Sequence, residues 1–172
     1  MVWYHIYKIV SGEMNNGLKL IPKLTLEHVQ LNPYSIMKVH LATQVLSESV
    51  SNILINYYPD AAHATTAFCK FMDMFFDCLN VRNQYEGNTK KKEYLQPYRE
   101  IDDARFIWLE NEFLPYLDNW KESTENRPGN FSQNAQSRMF LPWQTYEGLK
   151  ITTDLTIKVV KFLLLQDRKS VV

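Results

Sequence analysis

Residues Asn32–Tyr57, NPYSIMKVHLATQVLSESVSNILINY, decide the fold of this chain. Asn32 offers a side-chain oxygen to cap a helix, and Pro33 suits a first helical position, where no N–H is needed. From there Ile36, Val39, Ala42, Leu46, Val50, Ile53, Leu54 and Tyr57 recur at three- and four-residue steps. Such an apolar stripe, sustained over about six turns, predicts one long helix. Pro59 and Asp60 end it.

The pattern repeats on both sides. Trp3–Val10 is apolar and aromatic and predicts the last turns of a helix, followed by a loop from Gly12 to Gly17. Thr25–Val29 predicts a short capped turn. Residues 62–81 predict a second long helix, with a stripe of Thr65, Phe68, Met72, Phe75, Phe76 and Leu79. Gln84–Lys92, with Gly87 and three consecutive lysines, predicts an exposed loop. A third helix is expected over Asp102–Trp120, kinked or split by Pro115. Glu122–Gln136 is polar and predicts the longest linker, and Met139–Trp143 is apolar but too short for a stable helix. Thr152 or Thr153 is expected to cap a last helix through Val159, Phe162, Leu163 and Leu165. No stretch alternates with period two for long enough to predict a strand. The expected fold class is all-α.

Composition narrows the function. The 172 residues suit one domain, and 45% apolar with 22% charged residues is ordinary for a soluble globular one. The 19 Lys and Arg balance the 19 Asp and Glu, which argues against a stand-alone nucleic-acid module with its basic excess. No apolar run approaches the ~18–20 residues that span a bilayer. The N-terminus lacks a basic region followed by an apolar one, so no signal peptide is expected, and the chain is expected to begin inside a structural element. Cys69 and Cys78 are nine apart, which on one helix places them on opposite faces. They are expected to be two buried helix cysteines in a reducing compartment. The four histidines show no metal-ligand spacing, so no zinc site is expected.

Two groups of residues could carry chemistry. Asp77 and Asn80, three apart on one helical face beside Phe76, form the first. A carboxylate can accept from the N1 and N2 donors of guanine, a pair that adenine lacks, an amide can satisfy a base or ribose atom, and Phe76 could stack on the ring. The same residues also suit the wet end of an ordinary helix. Lys23 and Lys38 form the second group, each able to neutralise phosphate oxygens as a point charge or simply to be solvated. Neither a P-loop nor a glycine-rich dinucleotide turn is present, and no catalytic triad stands out.

Four blocks in order carry a resemblance. Lys23-Leu-Thr25, His28, Met37-Lys38-Val39, Leu41-Ala42, Gln44-Val45-Leu46-Ser47 and Val50 make the first, and Ala64–Asn83 with Phe76-Asp77-Cys-Leu-Asn80-Val-Arg-Asn83 the second. Gln144-Thr145-Tyr-Glu-Gly148-Leu149 and Ile151-Thr-Thr153 complete it. Together they resemble the insertion domain of P-element-type transposases and their THAP-domain relatives, over nearly the whole chain. The resemblance implies a helical domain, residues 1–166 and incomplete at both ends, with 167–172 a non-homologous tail. In that family the domain binds GTP and interrupts an RNase H-like catalytic domain whose acidic residues hold divalent metal ions.

Carried over by motif, Lys23 and Lys38 meet the phosphates or nearby sugar. Val39 touches the base through its backbone, Ser47 reaches the phosphate side, and Asp77 with Asn80 reads guanine. Nine residues separate Lys38 from Ser47, so the pair needs Lys38 to precede the helix or the nucleotide to wrap around its start. The family's first two catalytic aspartates lie upstream of a block like Trp3, and its last glutamate follows a Gln-Asp stretch that Gln166-Asp167 does not reproduce. The chain is therefore expected not to be an enzyme, whereas the intact parent would be a metal-dependent DNA transposase. The resemblance also implies GTP with Mg²⁺ in the intact protein, transposon-end DNA, the parent's catalytic domain, a homo-oligomer of the parent and a nuclear location. The alternative is a helical scaffold that has lost nucleotide binding.

Overall fold

The computed structural model describes residues 3–16, 19–59, 63–81, 83 and 85–170. Its elements in order are α1 (Trp3–Asn16), a 3-10 turn (Leu26–His28), α2 (Pro33–Ile36), α3 (Val39–Val45), α4 (Glu48–Tyr57), α5 (His63–Leu79) and α6 (Glu86–Lys90). A second 3-10 turn (Glu93–Leu95), α7 (Ala104–Trp108), a π-helical turn (Leu109–Phe113), α8 (Leu114–Glu125), α9 (Gln133–Ser137) and α10 (Trp143–Ser170) follow. Among the described residues there is no strand, and the chain is all-α. No helix of the described residues is long and apolar enough to cross a membrane. Two compact units divide the chain, Met1–Asp77 and Cys78–Val172.

The first unit departs from its predicted outline at the decisive stretch. Asn32 does cap a helix, accepting from Tyr34 N at 2.9 Å and Ser35 N at 2.8 Å. That helix lasts one turn. Lys38 then stands at the N-cap of α3, and Ser47 caps α4 by accepting from Val50 N. One predicted helix is thus three, because the extended backbone at Lys38 and the cap at Ser47 interrupt a spacing that the apolar residues alone would have continued. The stripe splits accordingly: Val50 and Leu54 are buried, while Ile36, Val39 and Tyr57 face solvent. At the other end, α1 runs through the loop predicted from Gly12; Gly17 lies outside the described residues. Burial of Ile6, Ile9 and Val10 against Ile21, Leu24, Val45, Val50 and Leu54 holds α1 in place.

Helix α5 follows its prediction, although Ala62, its expected first residue, lies outside the described ones. Ser51 Oγ on α4 donates to Thr66 O on α5 at 3.0 Å within the same unit. Cys69 and Cys78 are both buried. Burial pushes the Cys69 thiol up to about 11, which leaves it a packing group rather than a nucleophile.

In the second unit the predicted loop at Gln84–Lys92 contains α6, around a buried Gly87; Gln84 lies outside the described residues. The third helix starts at Ala104, capped by the Asp103 carboxylate, and widens into its π turn just before Pro115. Helix α8 continues directly from that turn, in which Leu114 N donates to Leu109 O five residues back, and the wider turn accommodates the Pro115 ring, which has no N–H to donate. The expected linker shrinks to residues 126–132, since α8 extends to Glu125 and α9 begins at Gln133. The last helix begins nine residues earlier than Thr152, at Trp143. Thr153 is not a cap: it is buried inside α10, and its hydroxyl donates back to Leu149 O at 2.8 Å. Helix α10 continues through Asp167 to Ser170, and residues 171 and 172 of the expected tail lie outside the described residues.

Candidate functional site

Thr25 opens the polar cluster of the first unit. Its N–H donates to His28 Nδ1 at 3.0 Å, closing the 3-10 turn. An acceptor at Nδ1 places the ring proton on Nε2, which donates to Gln44 Oε1 at 2.7 Å. The buried imidazole thereby ties the turn to α3. Between these two bonds, Glu27 points to the segment joining α2 and α3. Its Oε1 accepts from Ser35 Oγ at 2.7 Å and from Lys38 Nζ at 2.6 Å. These two hydrogen bonds, with the Lys38 charge, hold the Glu27 carboxyl below the usual carboxylate range.

Lys38 precedes its helix, one of the two arrangements expected for contact with both Lys38 and Ser47. Its ammonium is engaged by Glu27. Val39 follows as the first residue of α3 and is 70% exposed. Ser47 donates to Gln44 O at 2.8 Å while it caps α4, so its hydroxyl has a structural task already. Lys23 is exposed and makes no ion pair among the described residues. Phe76 and Asp77 are half-buried on α5, with Phe76 tilted against Phe75 at 5.8 Å between ring centroids. Asn80 follows the end of α5 and is exposed; Arg82 of the same motif lies outside the described residues.

The structure thus gathers Glu27, Ser35 and Lys38, and of these sequence reading singled out Lys38 alone. Nothing in the sequence marks Glu27, because it meets Lys38 across a 3-10 turn, a loop and α2 rather than along one element, so no single period relates the two. Ser47 did carry a signal as a cap, being a serine with a glutamate behind it. Cavities at Tyr94 and Arg105, at Phe140 and Trp143, and at Ile55 and Lys70 are lined by residues other than these candidates. Among the described residues no three His, Cys, Asp or Glu side chains come together as a metal site would need.

The donor set suits a guanine nucleotide in kind. As residue types, lysine ammoniums can meet phosphates, a carboxylate and an amide can meet a base edge, and an aromatic ring can meet a base face. Comparison with known proteins gives one family and no individual relative. No curated protein and no solved structure matches the chain. The family model described as "TNP-like, GTP-binding insertion domain" matches residues 1–92.

Proposed function

This chain belongs to the family of TNP-like transposase GTP-binding insertion domains, and on that footing we propose that it binds GTP through its first 92 residues. One observation carries the reading: Lys23, Lys38, Val39, Ser47, Phe76, Asp77 and Asn80 all lie inside the matched span. Lys23 and Lys38 hold phosphate oxygens, with Ser47 on the phosphate side. Val39 meets the base through its backbone, Phe76 stacks on it, and Asp77 with Asn80 selects guanine. When bound, GTP supplies charge and a stacking surface that order the domain. The chain itself cuts and joins no DNA in this reading, since two-metal chemistry needs an acidic cluster.

The finer assignment is part of the proposal. The parent is a P-element-type transposase, akin to THAP-domain proteins, in which this domain interrupts an RNase H-like catalytic domain. That parent works in the nucleus on transposon-end DNA as a homo-oligomer, with Mg²⁺ at its catalytic carboxylates. Residues 1–166 form the insertion domain and 167–172 a tail.

Competition binding tests the guanine assignment. GTP should displace a fluorescent guanine nucleotide, while ATP should not. Equal displacement by the two removes Asp77 and Asn80 as guanine readers.

Two observations favour a second reading, a helical scaffold without nucleotide: Lys38 is already paired, and Ser47 is a helix cap. That reading predicts no displacement by either nucleotide.

A further inference from the structure

We propose that the Glu27 carboxylate fills an anion cradle that a phosphate oxygen of the nucleotide takes over, making Glu27 an internal competitor and Ser35 a further phosphate contact. The inference rests on the nucleotide reading above and deepens it.

The geometry is that of one oxygen with two donors. Glu27 Oε1 accepts from a hydroxyl, Ser35 Oγ at 2.7 Å, and from an ammonium, Lys38 Nζ at 2.6 Å. A phosphate oxygen carries the same sign of charge and can accept the same two hydrogen bonds. The donors are not equally free. Ser35 is 1% exposed and sits on α2, whose start is fixed by the Asn32 cap, so its hydroxyl has a set position. The charged partners are open, with 43% of the Lys38 side chain and 38% of the Glu27 side chain accessible. Rotation of the accessible Glu27 side chain would vacate both donors for a solute anion. An exposed pair of this kind is weakly held and is readily outcompeted by a polyanion.

Removing the competitor while keeping its shape should tighten the triphosphate alone. Calorimetric titration of the 172-residue chain with GTP and with guanosine separates this from a general structural effect. Glu27→Gln should bind GTP about two- to fivefold more tightly, the range that an exposed ion pair opposes, with guanosine unchanged. Adding Ser35→Ala in the Glu27→Gln background should reverse that gain for GTP and leave guanosine alone. If the unmodified chain binds no GTP, the nucleotide reading fails and this inference falls with it. If the unmodified chain binds GTP and Glu27→Gln leaves that binding unchanged or weakens it, the displacement alone is overturned. A parallel change for guanosine also overturns it, since the charge would then not be acting on phosphate.

Discussion

Arg105 grips Asp103 with two parallel hydrogen bonds, Nε to Oδ1 at 2.8 Å and Nη2 to Oδ2 at 2.6 Å. Its Nη1 donates to Tyr94 O at 3.1 Å and to Gln96 O, and its guanidinium lies 3.6 Å from the Tyr98 ring centroid. Tyr98 in turn stacks on buried Phe106. One buried side chain thus fastens the segment before α7 to the helix that follows.

Arg105→Met should therefore cost more than the lost contacts suggest. It leaves the Asp103 carboxylate with only the Arg105 backbone N–H and two carbonyls without their donor, and a broken buried pair costs about 3–5 kcal/mol. Asp103 retains some solvent access, so the low end, about 3 kcal/mol, is expected by urea unfolding. Arg105→Lys should recover little, because a point ammonium cannot make the bidentate contact. A loss below about 1 kcal/mol, the scale of a surface pair, would contradict the clamp.

Acid should destabilise the fold through three carboxylates. At Asp103 burial pushes the carboxyl up, but the Arg105 hydrogen bonds and charge more than reverse this. At Asp118 burial acts likewise and is outweighed by Tyr146 and Lys150. At Glu27 the hydrogen bond from Lys38 dominates. All three titrate lower when folded than unfolded, so their stabilisation is complete above the unfolded value of about 4 and is lost as pH falls through the folded values. The urea midpoint should drop below about pH 4, and Asp103→Asn should make that drop shallower. A midpoint that rises on acidification would contradict these assignments.

Gly87 and Gly12 should respond oppositely to alanine. A Cβ on Gly87 would lie 2.8 Å from Gln96 Nε2 and 3.0 Å from Lys92 O. The Gln96 amide is held by Asn88 Oδ1 at 2.7 Å, and the Lys92 carbonyl is backbone, so neither yields freely. Gly87→Ala should cost about 1–3 kcal/mol. Gly12 lies within α1 with nothing inside 4 Å of a Cβ, so Gly12→Ala should stabilise by about 0.5–1 kcal/mol. Thermal unfolding of the two variants reads both signs.

Ser47→Ala separates a cap from a ligand contact. Losing the α4 cap should lower stability by about 1 kcal/mol with no nucleotide present. A variant as stable as the parent without GTP, but less stabilised by it, would make Ser47 a phosphate contact only.

The all-α class, α5 and the Asn32–Pro33 start were legible because periodicity and capping chemistry pointed the same way. The break at Lys38 was not, since apolar spacing continues across it while the chain turns, and the same spacing masked the cap signal at Ser47. The start of α10 was misread for a related reason. Thr153 has the chemistry of a cap, but its hydroxyl finds Leu149 O inside the helix instead. Of the candidate site, the residue types were legible, and their partners were not. Glu27, Ser35 and Lys38 meet through the turn between α2 and α3, which no local pattern encodes.

Thermal unfolding of the chain with millimolar GTP and Mg²⁺, against ATP as control, tests the central claim most directly. Ligand at about 100 times its Kd stabilises by roughly 2.7 kcal/mol, a shift that is readily seen. The account predicts a rise in Tm with GTP alone, abolished in Asp77→Ala. A cooperative transition that GTP does not move, or that ATP moves equally, would contradict it.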